Sequence, residues 1–277
     1  MLKFQMKWWT NSRISFSHRL SYSLSCVFQL PWRGTVSYFG KPFSSDNPLA
    51  LLLLPEYANL LSKIDQKTDS ITGKNLRILD IGANVGQFAA TAQRLLSATV
   101  TSVEPNPICW PYLKKNGAGT HDWQVIRRAV SSHPSKMTLY YVDGKSAQGS
   151  FSKFNAGNNL ISGGQEMAVK VETGPITHSV LGQDSSSTME FDLVKIDVEG
   201  FELEALRGLK EVTFRYLLIE LEPSRDNGFS ENDVHSLVND ELGLQLRKIF
   251  SDRRDDGSGP QNILFEVLPL TIRNDLQ

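Results

Sequence analysis

Residues 76–86 read Leu-Arg-Ile-Leu-Asp-Ile-Gly-Ala-Asn-Val-Gly, and this stretch decides the fold. Its first half, 76–81, is a short apolar run typical of a buried strand in a parallel sheet. Its second half is a glycine-rich turn, and residues 87–96 then place their apolar side chains on one helical stripe. A strand, a glycine turn and a helix in this order predict one unit of an alternating α/β fold.

The alternation of predicted strands and helices continues along the chain. Strands are predicted over residues 99–103, 123–130, 136–142, 168–173, 191–197, 216–221, 244–250 and 262–267. Helices are predicted over 47–64, from near 107, over 202–209 and from a capping box at Ser230 and Asp233. A Gly/Ser/Asn-rich insertion occupies 143–164, and the turn-rich stretch 252–260 favours an antiparallel hairpin between the last two strands. The pattern predicts an open, mostly parallel sheet with helices on both faces.

Composition limits the class of protein. The chain has 277 residues, 40% of them hydrophobic, and a formal net charge of −1. This is enough apolar material for a core, and a nearly neutral chain lacks the basic footprint of a nucleic-acid-binding protein. The two cysteines cannot form a disulfide framework or a zinc cluster, which favours a cytoplasmic location. No apolar run is long enough to predict a transmembrane segment.

The N-terminal segment differs from the rest. Residues 1–45 contain six basic residues, no acidic residue and several aromatic ones. We divide the chain into an extension, 1–73, with a short helical segment, and a domain, 74–277. One interpretation of the extension is a cap or a tail. Another is an arm, 1–45, that contacts a membrane surface peripherally or docks a partner, since basic and aromatic residues favour anionic interfaces. An acid-free composition also fits an organellar transit peptide.

Two acidic residues at predicted strand ends are the first candidates for a binding site. Asp80 precedes Gly82, Asn84 and Gly86, whose spacing is not that of a dinucleotide-binding loop. A carboxylate there would repel phosphate and attract an ammonium or a sulfonium group. Glu104 ends the next strand, and an acid at this spacing can accept hydrogen bonds from both ribose hydroxyls of a nucleoside cofactor.

Further acids follow later strands. In Lys-Ile-Asp-Val-Glu, residues 195–199, strand periodicity puts Lys195, Asp197 and Glu199 on one side. Asp197 is hard to explain as structure, because an acid on a central parallel strand must be paired or functional. Glu220, near the end of the next strand, could line the same cleft. The five histidines show no metal-ligand spacing, and the sequence does not require a divalent metal.

Taken together, 78–86, 103–107, 192–202 and 219–222 resemble the FkbM-type family of S-adenosylmethionine-dependent methyltransferases. The resemblance implies a class I methyltransferase fold, with a Rossmann-like sheet of seven strands whose last strand is antiparallel. By position, the methionine end of the cofactor would be held by Asp80, Gly82, Asn84 and Gly86, and the ribose by Glu104. Asn106 and Ala129 would flank the adenine, and Asp197 and Glu199 would face the methyl group and the acceptor.

The expected reaction is methylation of a hydroxyl on a small molecule, sugar or glycan, and not of a nucleic acid. Asp197 is the expected base, with Glu199 and Glu220 as alternatives. Two other functions stay open at this point. One is a nicotinamide-dependent oxidoreductase, which Asp80 ahead of the glycines disfavours. The other is a cofactor-binding scaffold without catalysis.

Overall fold

The computed structural model describes residues 34–38, 41–45, 48–67, 76–118, 120, 122–142, 145–151, 166–222, 229–252 and 261–269. The expectations for residues 1–33, for most of the insertion 143–164 and for the hairpin loop 253–260 lie outside this part of the chain. The strands within it are β1 (Gly34–Tyr38), β2 (Lys41–Ser45), β3 (Arg77–Ile81), β4 (Thr99–Val103), β5 (Trp123–Ile126), β6 (Ala129–Val130), β7 (Ser135–Val142), β8 (Lys145–Ser150), β9 (Glu166–Gly174), β10 (Glu190–Ile196), β11 (Thr213–Leu221), β12 (Leu244–Asp252) and β13 (Gln261–Pro269).

Seven of these strands form the main sheet, in the order β12-β13-β11-β10-β3-β4-β5. The five strands from β11 to β5 run parallel, β13 is antiparallel to β11, and β12 is antiparallel to β13. This confirms the predicted fold class, including the antiparallel last strand. The strand order reverses at β3, which lies between β4 and β10. Ligands bind in such folds beyond the carboxyl ends of the strands at this reversal.

Helices cover both faces of the main sheet. They are α1 (Pro48–Lys67), α2 (Gln87–Leu96), α3 (Trp110–Asn116), α4 (His178–Leu181), α5 (Glu202–Arg207) and α6 (Glu231–Leu242). On one face, α1 and α2 pack Ile64 and Phe88 against Ile78 of β3. On the other, α5 and α6 pack Leu206 and Val234 against the strands. The Ser230–Asp233 capping box is confirmed, with each residue accepting from the other's backbone N–H. None of the described helices is both long and apolar enough to cross a membrane.

A second, four-stranded sheet has the order β6-β9-β7-β8. It corrects the prediction of a single strand over 123–130. The chain leaves the edge of the main sheet after Ile126, and Ala129–Val130 instead pair in parallel with Thr173 and Gly174 of β9. Arg127 and Arg128 separate the two apolar pieces, and the prediction of one continuous strand passed over this interruption.

The described part of the predicted extension packs into the same core as the rest. Phe43 of β2 and Leu54 of α1 are buried beside Val85. The amide of Asn116 joins β2 to the glycine-rich turn, since it donates to the carbonyls of Ser44 and Val85 at 3.0 and 2.7 Å and accepts from the N–H of Ser44. The expected short helical segment is a 20-residue helix. Residues 41–45 and 48–67 are therefore part of the folded body. The boundary predicted at residue 73 divides described segments that pack into the same core.

Candidate active site

A cavity of about 560 Å³ lies beyond the carboxyl ends of β3, β4 and β10. This volume lies within the range of ordinary small-ligand pockets, about 300–1,000 Å³. Its lining includes most of the residues predicted from the sequence: Gly82, Asn84, Glu104, Asn106, Ala129, Asp197, Glu199 and Glu220. The other two, Asp80 and Gly86, lie behind the wall of the cavity.

The glycine-rich turn brings the ends of two strands together. Gly82 has φ +78°, and a Cβ on it would lie 1.8 Å from the carbonyl oxygen of Asp197. The N–H of Asp197 in turn donates to the carbonyl of Ile81 at 3.1 Å. Only glycine permits this approach, which sets Asp197 beside the turn. Gly86 has a packing role, because a Cβ there would lie 2.7 Å from the ring of Trp123.

Glu104 ends β4 as a buried acid at the cavity wall, 7% exposed. Its two carboxylate oxygens accept hydrogen bonds from the N–H groups of Asn84, at 2.8 Å, and Asn106, at 2.7 Å. Burial raises the pKa of Glu104 to about 7, against the opposing effect of these two hydrogen bonds. Each oxygen has a second lone pair, so the carboxylate can also accept from a ligand that carries neighbouring hydroxyls.

Asn106 provides a test of whether this end of the cavity fits a ligand. Its Oδ1 accepts from the N–H of Ile108 at 3.2 Å, whereas its Nδ2 is buried without a hydrogen-bond partner among the described residues. Asn106 is 2% exposed. A buried amide without a partner is costly unless a ligand supplies an acceptor. The donor of Asn106, the acceptor Glu104 and the nearby Ala129 thus form a site that suits a nucleoside.

A buried lysine organises the other end of the cavity. Nζ of Lys195 lies 3.1 Å from Oδ2 of Asp197 and 3.5 Å from Oδ1 of Asp80. Burial alone would lower the pKa of Lys195, but Asp197, Tyr57 and Asp80 together raise it well above its ordinary value, so the ammonium stays charged. Asp80 is completely buried, and burial raises its pKa while Lys195 lowers it. The ammonium of Lys195 is the nearest charge to Asp80, neither oxygen of Asp80 has a hydrogen-bond partner among the described residues, and the carboxylate does not reach the cavity surface.

Glu220 lies next to Asp197. The charge of Asp197, burial and a hydrogen bond with Asp197 raise the pKa of Glu220 to about 10. With a pKa of about 10, Glu220 is protonated at neutral pH and can donate a hydrogen bond to Asp197. Strand β10 ends at Ile196, so strand periodicity does not extend to Glu199. Glu199 instead lies in the turn after β10, with φ +59°, and lines the cavity from there. Glu202 accepts from the N–H of Gly200 at 2.9 Å at the start of α5.

Several residues of the cavity were missed from the sequence. For Lys195 the sequence predicts only a position on the same side as Asp197. Its alternation with that acid is the signal that indicates a buried ion pair. Phe201 lines the cavity, where its ring lies 4.8 Å from that of Phe151. Tyr57 comes from α1, far from the other residues in sequence, and no local pattern could place it. Within the described residues no group of His, Cys, Asp and Glu is arranged to hold a metal ion.

Comparison with known proteins identifies the family. The model of the methyltransferase FkbM domain matches residues 80–254, more than half of the chain. No curated protein sequence matches. Similar solved structures include a TehB-like SAM-dependent methyltransferase from Corynebacterium glutamicum (15% identity, 79% of this chain and 98% of that chain, TM-score 0.40). Others are TYW2 from Pyrococcus horikoshii in complex with MeSAdo (8%, 91% and 83%, 0.48) and the human methyltransferase 10 domain containing protein (14%, 93% and 100%, 0.46).

The matched segment contains both the glycine-rich turn with Glu104 and the strand that precedes Asp197, in the order that the sequence resemblance requires. Membership excludes the oxidoreductase that the sequence left open, because its cofactor would be a dinucleotide. The chain belongs to the FkbM family of S-adenosylmethionine-dependent methyltransferases.

Proposed function

We propose that this methyltransferase acts on a hydroxyl oxygen of a small molecule or glycan, with Asp197 as the base. The observation that carries the proposal is the state of Asp197 at the cavity wall. Its Oδ2 lies 3.1 Å from Nζ of Lys195, and the neighbouring Glu220, whose pKa is raised to about 10, forms a hydrogen bond with it. A neutral hydroxyl must lose a proton as its oxygen becomes bonded to carbon, and a positioned carboxylate can take that proton.

The residues that would hold the cofactor are those at the Glu104 end. Glu104 would accept from the ribose hydroxyls, Asn106 and Ala129 would contact the adenine, and Gly82 and Asn84 would border the methionine portion. S-adenosylmethionine, when bound, supplies a methyl group on a positively charged sulfur. Asp80 precedes the glycines at the methionine end, and Nζ of Lys195 lies 3.5 Å from its Oδ1, so we assign it to this end of the site behind Gly82.

At the acceptor end, the chain's residues hold and move one proton. Lys195 fixes the carboxylate of Asp197, and the proton of Glu220 completes a hydrogen bond to it. Asp197 takes up the proton that the acceptor hydroxyl releases. Most of the acceleration comes from holding the two reactants in line, since the leaving sulfur is already activated. Glu199, on the turn beyond Asp197, borders the acceptor.

The charge of the cavity favours a small or glycan acceptor over a nucleic acid. Its lining contains the acids Glu56, Glu199 and Asp252 and two cations, Arg128 and Lys195, of which Lys195 is buried in ion pairs with acids. Binding of nucleic acid depends mainly on cationic groups that neutralise phosphates. An acidic lining repels phosphates and suits a neutral acceptor with several hydroxyl donors.

The test is to identify the atom that becomes methylated. The protein is incubated with S-adenosylmethionine carrying a ¹³C methyl group and with extracts of neutral glycans and metabolites, and in parallel with RNA. Carbon NMR of the products distinguishes methoxyl from N-methyl carbon. We expect methoxyl products from the neutral extract. N-methylated products, or methylation confined to RNA, would contradict the proposal.

A further inference from the structure

One wall of the cavity comes from a helix outside the family segment. Helix α1 precedes residue 80, where the family match begins. Its residues Glu56, Tyr57 and Leu60 belong to the cavity lining. The helix is held firmly, because Leu61 and Ile64 are completely buried against the main sheet and α2. The wall is therefore a fixed part of the fold.

Tyr57 lies at the acid end of the cavity. The edge of its ring meets the ring of Phe88, with centroids 5.5 Å apart and planes at 80°. Nζ of Lys195 lies 5.9 Å from the centroid of the Tyr57 ring, within the range of a cation–π contact. The titratable groups that act on its hydroxyl are those of Lys195, Asp197, Glu220 and Asp80.

The hydroxyl of Tyr57 stays protonated. Burial raises its pKa far above the ordinary value, with Lys195 opposing this effect. A neutral hydroxyl on a rigid aromatic ring can both donate and accept a hydrogen bond. Beside the carboxylate of Asp197, this group is suited to bind a neutral polar acceptor and to orient the hydroxyl that reacts.

We propose that Tyr57 is a specificity-determining residue for the acceptor, and that α1 forms one wall of the acceptor site. This rests on the proposed function in one respect, the assignment of the Asp197 end of the cavity to the acceptor. It adds that the active site extends beyond the family segment. Members without an equivalent helix would then select other acceptors with the same cofactor residues.

The first experiment locates Tyr57 without any acceptor. In a Cys26→Ser background, Tyr57→Cys, Glu56→Cys and Gly149→Cys are labelled with a small thiol reagent, with and without S-adenosylhomocysteine. Gly149 lines the opposite end, near Asn106. At roughly 100 times the Kd of the product, labelling at Gly149→Cys should slow by up to about 100-fold. Labelling at Glu56→Cys and Tyr57→Cys should change little.

Two outcomes of the labelling would overturn the location. Protection of Glu56→Cys and Tyr57→Cys as complete as that of Gly149→Cys would assign α1 to the cofactor end. Failure of the reagent to label either residue would remove α1 from the cavity. If Tyr57→Cys does not fold, Glu56→Cys decides alone, because Glu56 is exposed on the same helix. The result does not depend on which atom is methylated, so it is separate from the test of O-methylation.

The second experiment tests selectivity. Tyr57→Phe removes one hydrogen bond, so the KM for an acceptor that uses it should rise roughly 2- to 10-fold, with a smaller change in kcat. Methyl glucoside and catechol serve as probes, together with any acceptor found by the methylation screen. The affinity for S-adenosylhomocysteine should stay at the native value. Tyr112→Phe, on α3 outside the cavity lining, is the matched control and should behave as native. Equal acceptor preference and KM in the Tyr57→Phe and native proteins would reduce Tyr57 to a packing role.

Discussion

Lys195 and Asp197, two residues apart at the end of β10, point to the same side and form an ion pair of 3.1 Å, 3% and 20% exposed at their side chains. The same ammonium also lies 3.5 Å from Asp80 on the neighbouring strand. The alternation of a parallel strand and the register between β3 and β10, which sets Lys195 opposite Asp80, produce this arrangement. Lys195 thereby joins the structural acid behind the cavity wall to the acid that faces the cavity.

We expect Lys195→Met to destabilise the fold by about 3–5 kcal/mol, because it leaves two acids in a buried region without their cation. The double variant Asp80→Asn/Lys195→Met should lose less than the sum of the two single changes. Urea unfolding of the four proteins completes the thermodynamic cycle. Additive losses would show that the two side chains do not interact.

The stability of the protein should depend on pH through Glu220. Its pKa rises on folding from an ordinary 4.5 to about 10, so the folded state binds more protons than the unfolded state between these values. The contribution is fully present below the unfolded pKa and is lost as pH rises toward the folded pKa. The free energy of unfolding should fall more steeply with pH in the native protein than in Glu220→Gln, which keeps a donor and cannot titrate. Parallel curves would mean that Glu220 ionises normally.

Glu104→Ala should weaken binding of S-adenosylhomocysteine. Loss of hydrogen bonds to a charged group costs about 1.5–3 kcal/mol, so the Kd should rise roughly 10- to 150-fold. Glu190→Ala, at an exposed position on β10, is the control for a change of charge. Calorimetry gives both affinities, and a native Kd in Glu104→Ala would disprove the ribose assignment.

The position of α1 changes what truncation should do. The sequence alone suggested an arm of residues 1–45, yet Phe43 is completely buried and Ser44 is hydrogen-bonded to Asn116. Deletion of residues 1–45 should lower the Tm because it removes Phe43 and Ser44, and deletion of residues 1–33, which keeps both, is the comparison. If residues 1–33 form a membrane-surface arm, binding to anionic vesicles should disappear with them and weaken with salt. Equal vesicle binding by full-length and shortened proteins would leave the capping interpretation.

The sequence predicted most of the main sheet because its strands are apolar runs bounded by recognisable turn residues. The helix bounds at 87–96 and the strand bounds at 99–103 agree with the structure residue for residue. The separation of β5 from β6 was not predicted, although Arg127 and Arg128 interrupt the apolar pattern between them. Strand pairing in another sheet is a tertiary property that no local pattern contains.

The candidate site, like the main sheet, could be predicted from the sequence in part. Glu104 and Asp197 could be placed because strand ends converge at one edge of a parallel sheet, and Asn106 because the family resemblance implies it. The sequence could not predict that Asp80 is buried behind the cavity wall, because this depends on where the folded chain puts the ammonium of Lys195. The sequence could not identify Tyr57 as a cavity residue, because α1 comes to the cavity only through the packing of distant segments.

Asp197→Asn tests the central claim most directly. Asparagine keeps the shape and one acceptor oxygen but cannot take a proton, so single-turnover methyl transfer at saturating cofactor should slow by about 10²- to 10⁴-fold. The affinity for S-adenosylhomocysteine should change little, and Glu199→Gln should retain most of the native rate. A near-native rate in Asp197→Asn would contradict the claim, and a large loss in Glu199→Gln alone would transfer the role of base to Glu199.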